Sequence, residues 1–166
     1  MSVDSMEKLL VHDLKDLYSA EKMILQALPK MANAATSPEL KKAFQTHERQ
    51  TQEQVRRIEK IFEISGLEGS PAGKKCMGME GLVEAGKEIM QEDMPDNLRD
   101  AALIGAAQKV EHYEIAAYGT AREMAERLGL TEAARLLQAT LDEEGATDEL
   151  LTQIATRVNP QAEAAD

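Results

Sequence analysis

Four stretches of this chain place an apolar residue at every third or fourth position for several helical turns, and none alternates with the period of two that a strand requires. That pattern commits the chain to long amphipathic α-helices, each of which must bury one face against its neighbours. The apolar residues are mostly Leu, Ala, Met and Ile. Aromatics make up only 3% and Trp is absent. These residues suit helix interiors better than the pleated surface of a sheet.

Breakers divide the chain. Asp4 or Ser5 can cap a first helix over about 5–34. Ser37-Pro38-Glu39 combines a capping hydroxyl, a proline at the first helical position and an acid in the first turn, and it starts a second helix over about 38–65. Gly66, Gly69, Pro71 and Gly73 mark a loop. A shorter helix over about 77–91 follows. Pro95-Asp96-Asn97 turns into a long helix over about 97–128 that Gly129 terminates, and Thr131 caps a last one over about 131–158, stopping near Pro160. Residues 1–166 thus read as one domain. Two helical hairpins are joined by a crossover of roughly 30 residues, the plan of an all-α, ferritin-like antiparallel four-helix bundle with one short extra helix.

The formal net charge is -11. An acidic surface repels phosphate backbones, so no nucleic-acid partner is expected. A single cysteine, Cys76, excludes an intrachain disulfide and a Cys-based zinc site within one chain. The N-terminus lacks a signal-peptide pattern and no stretch reaches the length of a membrane span, so the expected location is the cytoplasm, with no membrane partner.

What interrupts the apolar stripes is more informative than the stripes. The first reads Leu10, Leu14, Leu17, Glu21, Ile24, Leu28, Met31. The second reads Leu40, Phe44, His47, Thr51, Gln54, Ile58, Ile61. The fourth helix carries Glu111 and Glu114 between Ala107 and Tyr118, and the fifth carries Glu144 and Asp148 between Leu141 and Leu151. All the interruptions lie near mid-helix, which in an antiparallel bundle is one level. Lys and Arg are absent from these positions. Several buried carboxylates must therefore share protons or be neutralised by cations, and Glu21, His47, Glu111, Glu114, Glu144 and Asp148 form a candidate ligand set for one or two iron or manganese ions. Each has a plainer reading. Glu111 and Glu114 can face a solvated edge, Glu144 can belong to the acidic run Asp142-Glu143-Glu144, and His47 can be a core histidine. Tyr18 and Tyr118 flank the carboxylates, either as core packing or as hydrogen-bond partners of the ligands. His112 falls beside the fourth stripe, His12 on an outer face.

The segments Tyr18-Ser19-Ala20-Glu21-Lys22, Ala43-Phe44 with His47 and Thr51, Met79-Glu80-Gly81-Leu82, Ala107 through Ala116 and Ala146-Thr147-Asp148 resemble the YciE/YciF-like stress-protein family. The resemblance spans about Ser5 to Val158 and implies a ferritin-like bundle, a homodimer, a dinuclear metal site and a part in stress responses. It brings no assigned reaction. Carried over by position, it places metal ligands at Glu21, Glu111, Glu114, Glu144 and Asp148. Relatives of this kind tend to carry Glu where this chain has Gln50, and the residues three before His12, His47 and His112 are Leu9, Phe44 and Lys109, so the Glu-x-x-His pattern of di-iron carboxylate bundles is missing. One metal position is then weak, differently liganded or empty. Two functions follow as expectations. One is a metal-binding stress protein that handles peroxide or oxygen. The other is a structural or interaction module, docking a second copy or another partner around a vestigial polar cluster.

Overall fold

The computed structural model describes residues 2–164, and five α-helices make up its regular structure: α1 (Met6–Ala34), α2 (Pro38–Ile64), α3 (Met77–Gln91), α4 (Asp96–Arg127) and α5 (Thr131–Glu163). The caps follow from the sequence. Ser5 accepts from the Lys8 amide at 3.2 Å and Ser37 from the Leu40 amide at 3.3 Å, with Pro38 at the first helical position. Gly129 adopts φ 71° beyond α4, and the Leu130 amide reaches back to the Ala125 carbonyl at 2.9 Å, closing a Schellman turn that a residue with a Cβ would strain. Two boundaries differ from expectation. Leu130, not Thr131, is the N-cap of α5. That helix also runs past Pro160 to Glu163. A proline so near a helix end forfeits a single backbone bond, while Ala162 packs inside and Asn97 Nδ2 donates to the Gln161 carbonyl at 2.9 Å.

The four long helices form a ferritin-like bundle in which the neighbours are α1–α2, α2–α5, α5–α4 and α4–α1. Every neighbouring pair is antiparallel: Arg157 of α5 meets Glu39 of α2, Arg57 meets Glu143, and Asp100 at the start of α4 holds the turn after α1. Because α2 ends where α1 begins and α4 starts where α1 ends, the connection must traverse the bundle. It carries α3, which packs on α1 and α4. Asp100 fixes this geometry. Its buried carboxylate accepts from the Thr36 amide (2.8 Å), the Thr36 hydroxyl (2.7 Å) and the Ser37 amide (2.7 Å), satisfying backbone donors at the N-terminus of α2.

The apolar interior is split into two clusters. One gathers Ile24, Leu28, Leu40, Phe44, Leu103, Ile104, Leu151 and Ile154 toward the α1–α2 turn, with Cys76 and Met79 of the crossover. The other gathers Leu10, Leu14, Leu17, Ile58, Ile61, Tyr118, Ala125 and Leu137 toward the opposite end. Between them lies a buried polar layer.

Candidate metal centre

That layer is built from mid-helix residues. Glu21 comes from α1, His47, Thr51 and Gln54 from α2, Glu111 and Glu114 from α4, and Glu144 from α5, all nearly or wholly excluded from solvent. Helical spacing explains the pairs. Residues three apart share a face, so Glu111 and Glu114 both turn inward, as do Thr51 and Gln54. One donor atom from each of His47, Glu111, Glu114 and Glu144 lies within 4.8 Å of the others. Glu21 adjoins this group through Glu114, and the Tyr118 hydroxyl donates to its Oε1.

Asp148 is placed differently. It keeps 22% of its side chain in solvent, pairs with His112 Nε2 at 3.2 Å and accepts from Gln108 Nε2 at 3.1 Å. The reason is a choice of register that the sequence leaves open. Between Leu137, Glu144, Leu151 and Val158 the intervening inward positions can be Leu141, Asp148 and Ala155, as expected, or Thr140, Thr147 and Ile154. The structure buries the second set. Gln50, the expected point of departure, is also outside the layer. Its Oε1 meets His47 Nδ1 at 3.3 Å, and the α2 amide inside the layer is Gln54. His12 and His112 are exposed, as their positions imply.

The electrostatics are severe. Burial first, then the neighbouring carboxylates, raise Glu21 to about 8 and push Glu114 and Glu144 well above the ordinary range, while burial raises Glu111 to about 7 against a hydrogen bond with Glu144 that lowers it. Burial and the adjacent Glu21 likewise raise the Tyr118 phenol. No Lys or Arg side chain is buried in the layer. Arg57, the nearest on α2, is bidentate to Glu143 at 2.7 Å on the rim. Gln54 Nε2 donates to Glu144 and to Glu143 Oε2, the latter at 3.0 Å. Glu21 Oε2, Glu111 Oε2, both oxygens of Glu114 and Glu144 Oε2 have no hydrogen-bond partner.

His47 completes the picture. The Gln50 carbonyl oxygen stands at its Nδ1 and accepts a ring N–H there, and Nε2 is the nitrogen that faces the carboxylates. Nε2 lies 3.2 Å from Glu111 Oε1 and 3.7 Å from Glu144 Oε2, yet makes no hydrogen bond. Carboxylate oxygens and an imidazole nitrogen that converge in this way make a donor set able to hold a hard or borderline divalent cation in place of the protons they otherwise share. The sequence puts Gln54 on the α2 stripe but not in the ligand set, because an amide there carries no charge to explain.

Comparison with known proteins adds the lineage. Residues 5–164 match the family described as a domain of unknown function (DUF892). Protein YciF of Escherichia coli is 46% identical over 164 residues, 98% of each chain. The solved structure of that E. coli stress protein superposes with a TM-score of 0.92 at 44% identity, covering 95% of this chain and 99% of the other. YcfI of Rhodopseudomonas palustris superposes with a TM-score of 0.86 at 40% identity, covering 92% and 97%. This chain belongs to the DUF892 family and is a YciF-like helical-bundle protein.

Proposed function

We propose that the protein is a metal-binding member of the stress-response lineage, holding iron or manganese in its buried polar layer. One observation carries this. Four carboxylates and an imidazole are buried together, with their oxygens and Nε2 turned toward one another and no Lys or Arg among them. Burying such a set without a counter-charge is costly, and a divalent cation neutralises it directly. His47, Glu111, Glu114 and Glu144 would hold the ion, with Glu21 beside them. Gln50 orients the imidazole through Nδ1, Tyr118 steadies Glu21, and Gln54 steadies Glu144. Iron or manganese in such a pocket supplies redox chemistry toward peroxide or oxygen, and the dry surroundings keep water from competing at the ligands. A homodimer and a cytoplasmic location belong to the same proposal, the first tested by sedimentation mass and the second by fractionation.

The test is elemental analysis of protein purified without chelator or affinity metal, beside Glu114→Ala. Iron or manganese bound to the parent in fixed proportion, and lost in the variant, is the expected outcome. Absence of metal from the parent, even after anaerobic loading, would defeat the reading. It would favour the interaction module instead, whose supporting observation is that Tyr118 and Gln54 already supply hydrogen bonds to two of the carboxylates.

A further inference from the structure

Within that polar layer the donors are unevenly distributed. The four atoms that close to within 4.8 Å come from His47, Glu111, Glu114 and Glu144. Around an ion with bonds of roughly 2.1 Å, opposite ligands stand roughly 4.2 Å apart, so this spacing suits one cation. Glu21 is not in that group. One of its oxygens is engaged by the Tyr118 hydroxyl, and the other is left beside Glu114.

A second ion would need Glu21, a shared Glu114 and a donor from α2. At that level α2 offers Thr51 and Gln54. The Thr51 hydroxyl donates to the His47 carbonyl at 2.9 Å, and the oxygen it leaves for a ligand is neutral. Gln54 turns its NH₂ toward Glu144 and Glu143, whose oxygens both accept from it. Gln54 Oε1 is likewise neutral, and it is without a partner. An amide oxygen neither balances cationic charge nor binds iron or manganese as a carboxylate does.

We infer that the centre is asymmetric. One divalent ion is held tightly by His47, Glu111, Glu114 and Glu144, and a second position, bounded by Glu21, Glu114 and Gln54, is weak because α2 supplies an amide in place of an acid. This rests on the metal-binding reading above. It goes further by assigning the residues of each position and by making Gln54 the determinant of stoichiometry.

The test is titration of the chelator-treated protein with manganese(II), with free ion followed by its paramagnetic resonance, for the parent, Glu21→Gln and Gln54→Glu. The parent should take up one ion per chain, with a second entering only at about 100-fold higher concentration. Glu21→Gln should still take up one ion tightly. Gln54→Glu should take up two, and its bound pair should show the exchange-coupled signal that the parent lacks. Far-UV circular dichroism and a cooperative melt establish that the variants fold. Two tight ions in the parent, loss of the tight ion in Glu21→Gln, or a folded Gln54→Glu that still binds one would each overturn the asymmetry while leaving metal binding intact. No uptake by the parent would instead remove the metal-binding reading itself. Should Gln54→Glu not fold, the parent and Glu21→Gln isotherms decide alone.

Discussion

At the scale of single residues, Glu21, Glu111, Glu114 and Glu144 make the native state a proton sink. Their folded-state pKa values stand above the unfolded value, with Glu21 at about 8 and Glu111 at about 7. Between the unfolded carboxylate pKa and those values, the folded protein binds more protons than the unfolded one, so its stability falls as pH rises. Chelator-treated protein should therefore melt at a lower temperature at about pH 8.5 than at about pH 5.5, and Glu114→Gln should flatten that slope. A melting temperature independent of pH, or one rising over that interval, would show that the carboxylates are not coupled as the geometry places them. Metal acts in the opposite direction, since ions and protons compete for the same oxygens. The gap between loaded and chelated protein should widen as pH rises.

At the scale of elements, the layer depends on helices being held in register by polar contacts at their ends. Asp100 is the clearest. Its carboxylate closes the α1–α2 turn with three hydrogen bonds from a buried position. Asp100→Ala leaves the Thr36 and Ser37 amides without partners and should cost about 3 kcal/mol in denaturant unfolding. A loss below about 0.5 kcal/mol, the range of ordinary surface substitutions, would mean that water replaces the carboxylate without cost. The crossover is seated just as tightly. A Cβ at Gly78 would stand 2.7 Å from the Tyr113 ring, whose hydroxyl bonds Asp16 of α1 at 3.0 Å and meets Cys76 Sγ at 3.0 Å. Gly78→Ala should push α3 off α4 and destabilise by about 1–3 kcal/mol, with the helical content retained.

At the scale of the whole molecule, the polar layer separates two apolar clusters and joins two helical hairpins. The four donor atoms that converge come from α2, α4 and α5, so an ion held among them would tie the first hairpin to the second. Metal should therefore raise the melting temperature of the entire bundle in one transition, by the equivalent of about 2.7 kcal/mol when free ion exceeds its dissociation constant about 100-fold. Calorimetry with and without manganese reads this directly. Two separate transitions would show that the hairpins melt independently of the layer. No helix among the described residues is long and apolar enough to cross a membrane.

The amino-acid sequence determined the helices, because apolar spacing, caps and breakers are local. Ser5, Ser37-Pro38 and Gly129 mark helix ends by their own side-chain chemistry or conformational freedom. It also determined that acids interrupt the buried stripes, since Glu21, Glu111 and Glu114 are flanked by apolar residues one turn away on either side and Glu144 stands midway between Leu137 and Leu151. Tertiary structure alone decided which polar residues meet. A stripe tolerates two registers between positions seven apart, because seven residues fall just short of two full turns, and packing against α2 chose Thr140 and Thr147 over Leu141 and Asp148. It likewise decided which acids Gln54, already on the α2 stripe, would meet. That choice depends on how α2 is rotated against α5, and rotation is set by the fit of side chains from other helices rather than by the glutamine's neighbours in the chain.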